Sequence, residues 1–215
     1  MKKSEFMRKL AAEPRWAPGW DAIEETFRAL YPGAEPEHLG TAVEARAAFG
    51  GDQHLDGYSF YPMPGGGMHI VTFGLSELYG APRAFGGEWS GRGCELTMKV
   101  REGQAADALW ACDLLSALAG RIAGSRRHPG SYQIFTAEEL GIAKTTDTPA
   151  RAVLLIPDDA AGAIRTVYGE VQFLRVLALT EKQAARLLAG GSVMETCEKE
   201  MRPHIGEGFF DWQNG

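Results

Sequence analysis

The amino-acid sequence predicts an α+β fold in which strands and helices follow one another in irregular order. The segment Gly91–Arg101 alternates apolar and polar residues, as a strand does when one face lies on a core and the other in water. The segment Ala105–Gly124 carries a continuous apolar stripe at helical spacing. Segments of the two kinds show no regular βαβ alternation along the chain, which favours α+β over a doubly wound sheet.

The N-terminal part of the sequence predicts one strongly amphipathic helix, Trp20–Tyr31, in which apolar residues recur at helical spacing. Pro14 and Pro18 interrupt the residues before it, so we expect only a short and loosely held helix there. The chain is therefore divided into an N-terminal extension, residues 1–17, and a single domain, residues 18–215. No linker long enough to separate two domains follows.

Runs of β-branched and aromatic residues predict the remaining strands. Two of them flank the glycines at 65–67 and are expected to pair as a hairpin, and the last has apolar residues on both faces, as a central strand does. Three capping boxes predict helical starts, and an apolar tail at 209–212 is expected to pack back onto the domain. The strands are Tyr58–Tyr61, Met68–Leu75, Tyr132–Phe135, Arg151–Ile156 and Val167–Leu179; the capping boxes are Thr136–Glu139, Thr180–Gln183 and Ser192–Glu195.

Composition and charge limit the classes of function. The chain has 215 residues, of which 45% are hydrophobic and 23% charged, as in ordinary globular domains. Its formal net charge of −6 disfavours a nucleic-acid partner. Cys94, Cys112 and Cys197 are odd in number and widely spaced, which predicts free thiols and a cytoplasmic location. No apolar run reaches membrane-spanning length, and Arg8 and Lys9 interrupt the N-terminus before any apolar run, which argues against a signal peptide. We therefore expect no membrane association.

The motifs that could support catalysis are incomplete. Gly65-Gly66-Gly67 lies between two predicted strands, whereas a phosphate-binding loop lies between a strand and a helix. Gly74-Leu75-Ser76 begins like the nucleophile elbow of serine hydrolases but lacks the final glycine, so Ser76 is interpreted as a turn cap. The cysteines and the five histidines show no metal-site spacing, and we expect no cofactor. As an alternative, an enzyme of unrecognised, hydrolase-like type would use His69, Glu77 and Asp56, joined in one pocket.

Four segments together resemble a known family. The most specific reads His-Ile-Val-Thr-Phe-Gly-Leu-Ser-Glu-Leu-Tyr-Gly at 69–80, close to the motif H-Y-V-T-F-G-L-S-E-L-Y, and a Gly-x-Gly-x-Glu-Leu-Thr run supports it. In this order and spacing they are similar to the suppressor-of-fused (SUFU) domain, and the chain resembles a bacterial single-domain member of that family. The segments are Leu55–Tyr58, His69–Gly80, Gly91–Thr97 and Tyr168–Leu174.

The resemblance implies a SUFU-like α+β fold with a mixed, mainly antiparallel sheet flanked by helices, and it implies no catalysis. In animals the family restrains a transcription factor, partly by adding a partner peptide as a strand. Many bacterial relatives are thought to be immunity proteins that neutralise toxins. The chain departs from the family pattern at Ile70 and Ala81, near the peptide-binding region of animal members.

On this basis we expect a protein that binds and sequesters another protein, for which a toxin encoded nearby is the candidate. The residues expected to contact the partner are Asp56, Tyr58, His69, Glu77, Tyr79 and Trp89. Aromatic residues in Gly- and Pro-rich stretches, such as Tyr79 and Trp89, either anchor an interface or close the ends of the sheet. An oligomerising module is a third possibility, and the sequence leaves the oligomeric state open.

Overall fold

The computed structural model describes residues 1–41, 54–125, 128–141 and 150–201. The predicted packing of the tail at 209–212 lies outside these residues. Helices α1 to α5 span Lys3–Ala12, Pro18–Leu30, Leu109–Gly124, Glu181–Ala189 and Val193–Thr196, with a 3₁₀ turn at Ala105–Ala108 and a π-helical turn at Cys197–Met201. Strands β1 to β8 span Glu37–Gly40, Gly57–Pro62, Met68–Phe73, Trp89–Val100, Ile134–Thr136, Ala150–Pro157, Ala163–Thr166 and Gly169–Thr180.

The described strands form one mixed sheet in the order β1-β2-β3-β4-β8-β6-β5, and β7 pairs with β8 beside this path. The pair β4–β8 is parallel, and every other described pair is antiparallel. This arrangement confirms the predicted α+β fold with a mixed, mainly antiparallel sheet. The hairpin β2–β3 and the central position of β8 are also confirmed.

Helices cover both faces of the sheet. Helix α3 packs its stripe, which includes Leu115 and Leu118, against side chains of β2, β3, β4, β6 and β8. Helix α2 packs Ile23 and Phe27 on the opposite face, and α4 contributes Leu187 to a third cluster on that same face. None of the described helices combines the length and the apolar character needed to cross a membrane.

The prediction that one face of β4 would lie in water is wrong for the middle of the strand. Glu95 and Thr97, whose polarity suggested that face, are completely buried. Strand β4 lies in the interior of the sheet between β3 and β8, and α2 covers the face from which these side chains project. Polar residues in this strand therefore belong to the protein interior, where each needs a hydrogen-bond partner.

Helix α1 is docked on the domain, in contrast to the loosely held helix that the prolines suggested. Phe6 is completely buried, and its ring lies 4.8 Å from that of Phe85 and 6.0 Å from that of Tyr168. A methyl group added at Gly80 would come within 2.3 Å of the Leu10 side chain, so helix and loop are in close contact. Residues 3–12 therefore pack on the loop that follows β3.

Removing the Phe6 ring should detach α1. We expect Phe6→Ala to lower the free energy of unfolding by about 3 kcal/mol, because a buried aromatic ring is lost from a close-packed site. Denaturant unfolding measures this change, and limited proteolysis reports the exposure of the α1 backbone. Met7→Ala, at a residue whose side chain is largely in solvent, is the matched control and should change stability by less than about 0.5 kcal/mol. Equal effects of the two substitutions would contradict the docking of α1.

Candidate functional site

The candidate site is built on the loop between β3 and β4, residues 74–88, which we call the β3–β4 loop. A buried carboxylate holds the first residues of this loop. Glu95 Oε1 accepts hydrogen bonds from Ser76 Oγ at 2.6 Å, Ser76 N at 2.9 Å and Gly74 N at 3.1 Å. Its Oε2 accepts from Thr72 Oγ1 at 2.7 Å, and Thr72 Oγ1 in turn accepts from Leu96 N at 2.9 Å. One side chain on β4 therefore fixes the end of β3 and the first turn of the loop.

Burial dominates the protonation of Glu95. It raises the pKa of this carboxyl from 4.5 to about 7, and the hydrogen bonds from Ser76, Thr72 and Gly74, which favour the carboxylate, act in the opposite direction. Gly74 is required beside this network because its φ is +134° and a Cβ there would lie 2.8 Å from Asp56 N. A side chain at position 74 would therefore clash with the backbone at Asp56, and the hydrogen bonds at the start of the loop require the Glu95 carboxyl in its present position.

Further contacts fix the rest of the β3–β4 loop. Gly19 N at the start of α2 donates to Leu78 O at 3.0 Å, and a Cβ at Gly19 would lie 1.9 Å from Glu77 O. Later in the loop, Gly86 N donates to Val167 O at 2.9 Å. The loop is irregular in conformation, yet it is anchored along its length.

Two side chains beneath the loop complete its attachment. Glu77 N donates to Ser90 Oγ at 3.0 Å. The hydroxyl of Tyr168, a residue with no exposed surface, donates to Tyr79 O and accepts from Ala81 N at 3.2 Å. The backbone that carries Tyr79 is therefore bonded to the residue that precedes β8, whereas 49% of the surface of Tyr79 itself is exposed.

A second buried polar group lies under the end of α2. His69 Nδ1 lies 2.7 Å from the Tyr31 hydroxyl, and Nε2 lies 3.0 Å from Asp158 Oδ2. Thr97 Oγ1 donates to the same Asp158 oxygen at 2.6 Å, and Ala160 N and Ala161 N donate to Oδ1 at 2.9 and 3.2 Å. The side chains of this group therefore hydrogen-bond to one another and to neighbouring backbone amides in the interior.

The directions of the pKa shifts of His69 and Asp158 indicate which atoms of the pair carry protons. Burial lowers the pKa of His69, which outweighs the opposing influence of Asp158. Burial by itself would raise the pKa of Asp158, but its hydrogen bonds from His69 and Thr97 outweigh that influence and lower it. An ionised carboxylate can only accept, so Nε2–H of the neutral imidazole donates to Asp158 and the Tyr31 hydroxyl donates to Nδ1. The group is a buried hydrogen-bonded network that connects the end of α2, β3, β4 and the residue that follows β6.

The six residues predicted to contact a partner fall into two sets. His69, Tyr58 and Asp56 are buried, and Tyr58 faces α3, where its hydroxyl lies 2.5 Å from Ser116 Oγ, whereas His69 faces α2. Glu77 and Trp89 are half-buried and Tyr79 is exposed, and these three lie in or next to the β3–β4 loop. The structure thus brings Glu77, Tyr79 and Trp89 to one surface segment and places the other three in the interior.

The residues of the alternative, hydrolase-like hypothesis are not joined in one pocket. His69 pairs with Tyr61 near the start of β3, whereas Asp56 immediately precedes Gly57, which pairs with Phe73 at the end of β3. Four residues along a strand correspond to about 13 Å. Ser76 is buried and donates its hydroxyl to Glu95. The described residues include no group of three or more His, Cys, Asp or Glu side chains that could hold a metal ion.

Sequence reasoning missed the residues that hold this site together. Alternation along β4 places Glu95 on a solvent-facing side, and no motif singles out Asp158. Tyr168 was noted only as part of the family resemblance. The one signal available for Glu95 was its place in the Gly-x-Gly-x-Glu-Leu-Thr run, because alternation alone cannot distinguish a wet face from a buried polar one.

Solved structures share this α+β fold of a mixed sheet with helices on both faces. A Sufu–Fu complex structure matches with a TM-score of 0.70 and 22% identity, covering 86% of this chain and 86% of that chain. Drosophila Suppressor of Fused also gives 0.70 and 22%, covering 91% of this chain and 49% of its own. A SUFU homologue from Neisseria gonorrhoeae gives 0.54 and 12%, covering 91% and 93%. These likenesses establish the fold.

The chain belongs to the suppressor of fused protein (SUFU) family, whose family model matches residues 51–202. The suppressor of fused homologues of mouse and human are each 28% identical to it over 194 residues, or 82% of this chain. The chain spans about two fifths of their length, 39%. The family resemblance at 69–80 is thereby confirmed, and its departure at Ile70 lies in the buried core beneath α3.

The raised pKa of Glu95 predicts a pH dependence of stability. A carboxyl with a pKa of about 7 in the folded chain and about 4.5 in the unfolded chain contributes stability that is present below pH 4.5 and is lost as the pH rises through 7. The difference in unfolding free energy between wild type and Glu95→Gln should therefore fall by on the order of 3 kcal/mol from pH 4.5 to 8. Denaturant unfolding at several pH values measures it.

His69 and Asp158 are present in both proteins, so their titration cancels from this difference. A rise in the difference over the same pH range would contradict the dominance of burial, because it would mean that the four hydrogen bonds lower the pKa of Glu95 below its ordinary value.

Proposed function

We propose that this chain is a non-catalytic domain that binds and sequesters a partner protein through the β3–β4 loop. The observation that carries the proposal is the combination of an exposed Tyr79 side chain with a backbone anchored through Glu95 and Tyr168. A loop held in one conformation loses little conformational entropy on binding, and a tyrosine offers a large contact area with a polar tip. A similar solved structure is a complex of Sufu with Fu, which supports a protein as the partner.

In this proposal Tyr79 is the central contact, and Glu77 and Trp89 flank it. Trp89 is half-buried, and its ring packs 5.4 Å from that of His128. Asp56, Tyr58 and His69 support the fold beneath this surface, because their side chains are packed in the interior. Glu95, which was not among the predicted contacts, takes the role of positioning the loop.

We further propose that the partner is a basic protein and that the chain acts as an immunity protein against a toxin encoded beside it. The support is the net charge of −6, which favours association with a positively charged partner. Action in the cytoplasm is consistent with Cys94, Cys112 and Cys197, which are free and buried. Sequestration predicts a stoichiometric complex and no turnover of the partner.

The proposal is tested with the products of the adjacent genes. Each is co-expressed with this chain, and complex formation is measured by size-exclusion chromatography and then by titration calorimetry. We expect one product to form a complex of fixed stoichiometry and to lose its toxicity in cells that carry the chain. If none of the neighbouring products binds, or if the chain modifies a product catalytically, the proposed function is wrong.

Within such a complex, Tyr79→Ala tests the surface. Loss of a central aromatic anchor should raise Kd by about 30-fold, since such residues contribute about 2 kcal/mol or more. Leu188→Ala is the matched control, because Leu188 is 65% exposed on α4 at the opposite end of β8. The control should change Kd by less than about threefold. A larger effect of Leu188→Ala than of Tyr79→Ala would move the interface away from the β3–β4 loop.

A further inference from the structure

Arg175 on β8 is a buried cation with an unsatisfied donor. Only 5% of the residue is exposed. Among the described residues, its Nε is the one buried side-chain nitrogen or oxygen that has no hydrogen-bond partner. Its Nη2 lies 3.8 Å from Asp159 Oδ2, which is beyond hydrogen-bonding distance, and 57% of the Asp159 side chain is exposed. On the guanidinium edge formed by Nε and Nη2, the Nε donor therefore makes no hydrogen bond within the described fold, and Nη2 makes the long ion pair with Asp159.

The buried acid of the neighbouring polar group does not fill this role. Asp158 is bonded to Thr97, the residue that pairs with Arg175 on the neighbouring strand, but its two oxygens already accept four hydrogen bonds, from His69, Thr97 and the backbone of residues 160 and 161. Arg175 pairs with Thr97 and Ile156 on the neighbouring strands, so it stands at the centre of the sheet beside this group. Its charge also influences both Tyr31 and His69.

A buried guanidinium without a partner is costly. Leaving a buried donor unsatisfied costs about 1–3 kcal/mol, and more for a charged group, whereas an apolar residue of similar volume at such a site is often neutral or stabilising. Packing alone therefore gives no reason for an arginine at this position. Buried unsatisfied groups in native proteins call for another explanation, such as a bound ion.

We infer that the Nε–Nη2 edge of Arg175 is a binding site for a carboxylate that comes from outside the fold. Two parallel N–H donors on one edge of a guanidinium match the two oxygens of a carboxylate, and such paired hydrogen bonds are among the strongest in proteins. Asp159, at the solvent side, marks the direction of entry, and the incoming carboxylate takes over its ion pair with Nη2. The site lies under the α2 face of the sheet and does not depend on the β3–β4 loop.

The first test uses acetate as the probe on the whole chain. Thermal unfolding is followed in sodium acetate and in sodium chloride at equal ionic strength. Acetate at about five times its Kd should raise Tm by roughly 2–4 °C relative to chloride. The variant Arg175→Met should lose this difference and have a Tm in chloride no lower than that of wild type. Arg165→Met, at an exposed arginine on β7, is the matched control and should keep the full acetate response.

A second measurement needs no variant at this position. In the ¹H–¹⁵N spectrum of the wild-type chain, acetate should move the Nε–Hε signal of Arg175 downfield in a saturable way, while that of Arg165 stays in place. An unmoved Arg175 signal, or an acetate response that survives in Arg175→Met, would overturn the site. This measurement decides the matter even if Arg175→Met fails to fold.

Asp159→Asn separates an external carboxylate from an internal one. If the site receives a carboxylate from outside, removal of the competing Asp159 charge should tighten acetate binding by at least about twofold. If Asp159 is itself the partner of Arg175 in solution, Asp159→Asn should lower Tm in chloride while leaving acetate affinity no better than in wild type. The second result would overturn the proposal.

The source of the carboxylate is the last question, and only this step rests on the proposed function. Given a positive acetate result, loss of affinity for the partner protein in Arg175→Met would identify an acidic side chain or chain end of the partner as the ligand. Unchanged affinity for the partner would instead identify a small free carboxylate. The acetate experiments involve no partner, so their failure is distinguishable from failure of the proposed function.

Discussion

One buried carboxylate, that of Glu95, determines the conformation of the β3–β4 loop, which carries the proposed contact residues. It accepts four hydrogen bonds from Thr72, Gly74 and Ser76, and thereby satisfies two backbone N–H groups at a point where the chain leaves the sheet and has no strand partner. Buried donors of this kind must be paired, so the loop and the carboxylate require each other. An irregular loop can be rigid for this reason: its hydrogen bonds are made to a side chain of the adjacent strand.

The position of α2 makes this arrangement possible. By covering the face of β4 from which Glu95 and Thr97 project, it converts an alternating strand into a buried row of polar groups, and each member finds a partner at Ser76, Thr72 or Asp158. Arg175, one strand away, has an unsatisfied Nε donor. The residues that carry the family resemblance are therefore largely internal supports, and a neighbouring exposed residue, Tyr79, offers the contact area.

The sequence was informative where local chemistry decides the outcome. The amphipathic pattern of α2 and the hairpin around the glycines at 65–67 were predicted because their signals are short-range, and so was the capping box at Thr180, in which Gln183 N donates to Thr180 Oγ1. The protonation and burial of Glu95 could not be predicted, because alternation does not reveal what covers the second face of a strand. The same limit applies to Asp158 and His69, whose contact joins residues 89 positions apart. Within the candidate site, sequence reasoning identified the exposed residues of the loop but not the buried residues that hold the loop in place.

Hydrogen exchange of two backbone amides tests whether Glu95 holds the β3–β4 loop in place. In the wild-type chain, the Gly74 and Ser76 amides that donate to Glu95 should be protected. In Glu95→Ala they should lose this protection, while amides in the centre of β8 keep theirs; Glu88→Ala, at an exposed residue of the same loop, should leave both sets unchanged. Retained protection of Gly74 and Ser76 in Glu95→Ala would show that the loop is held by other contacts and would contradict the account.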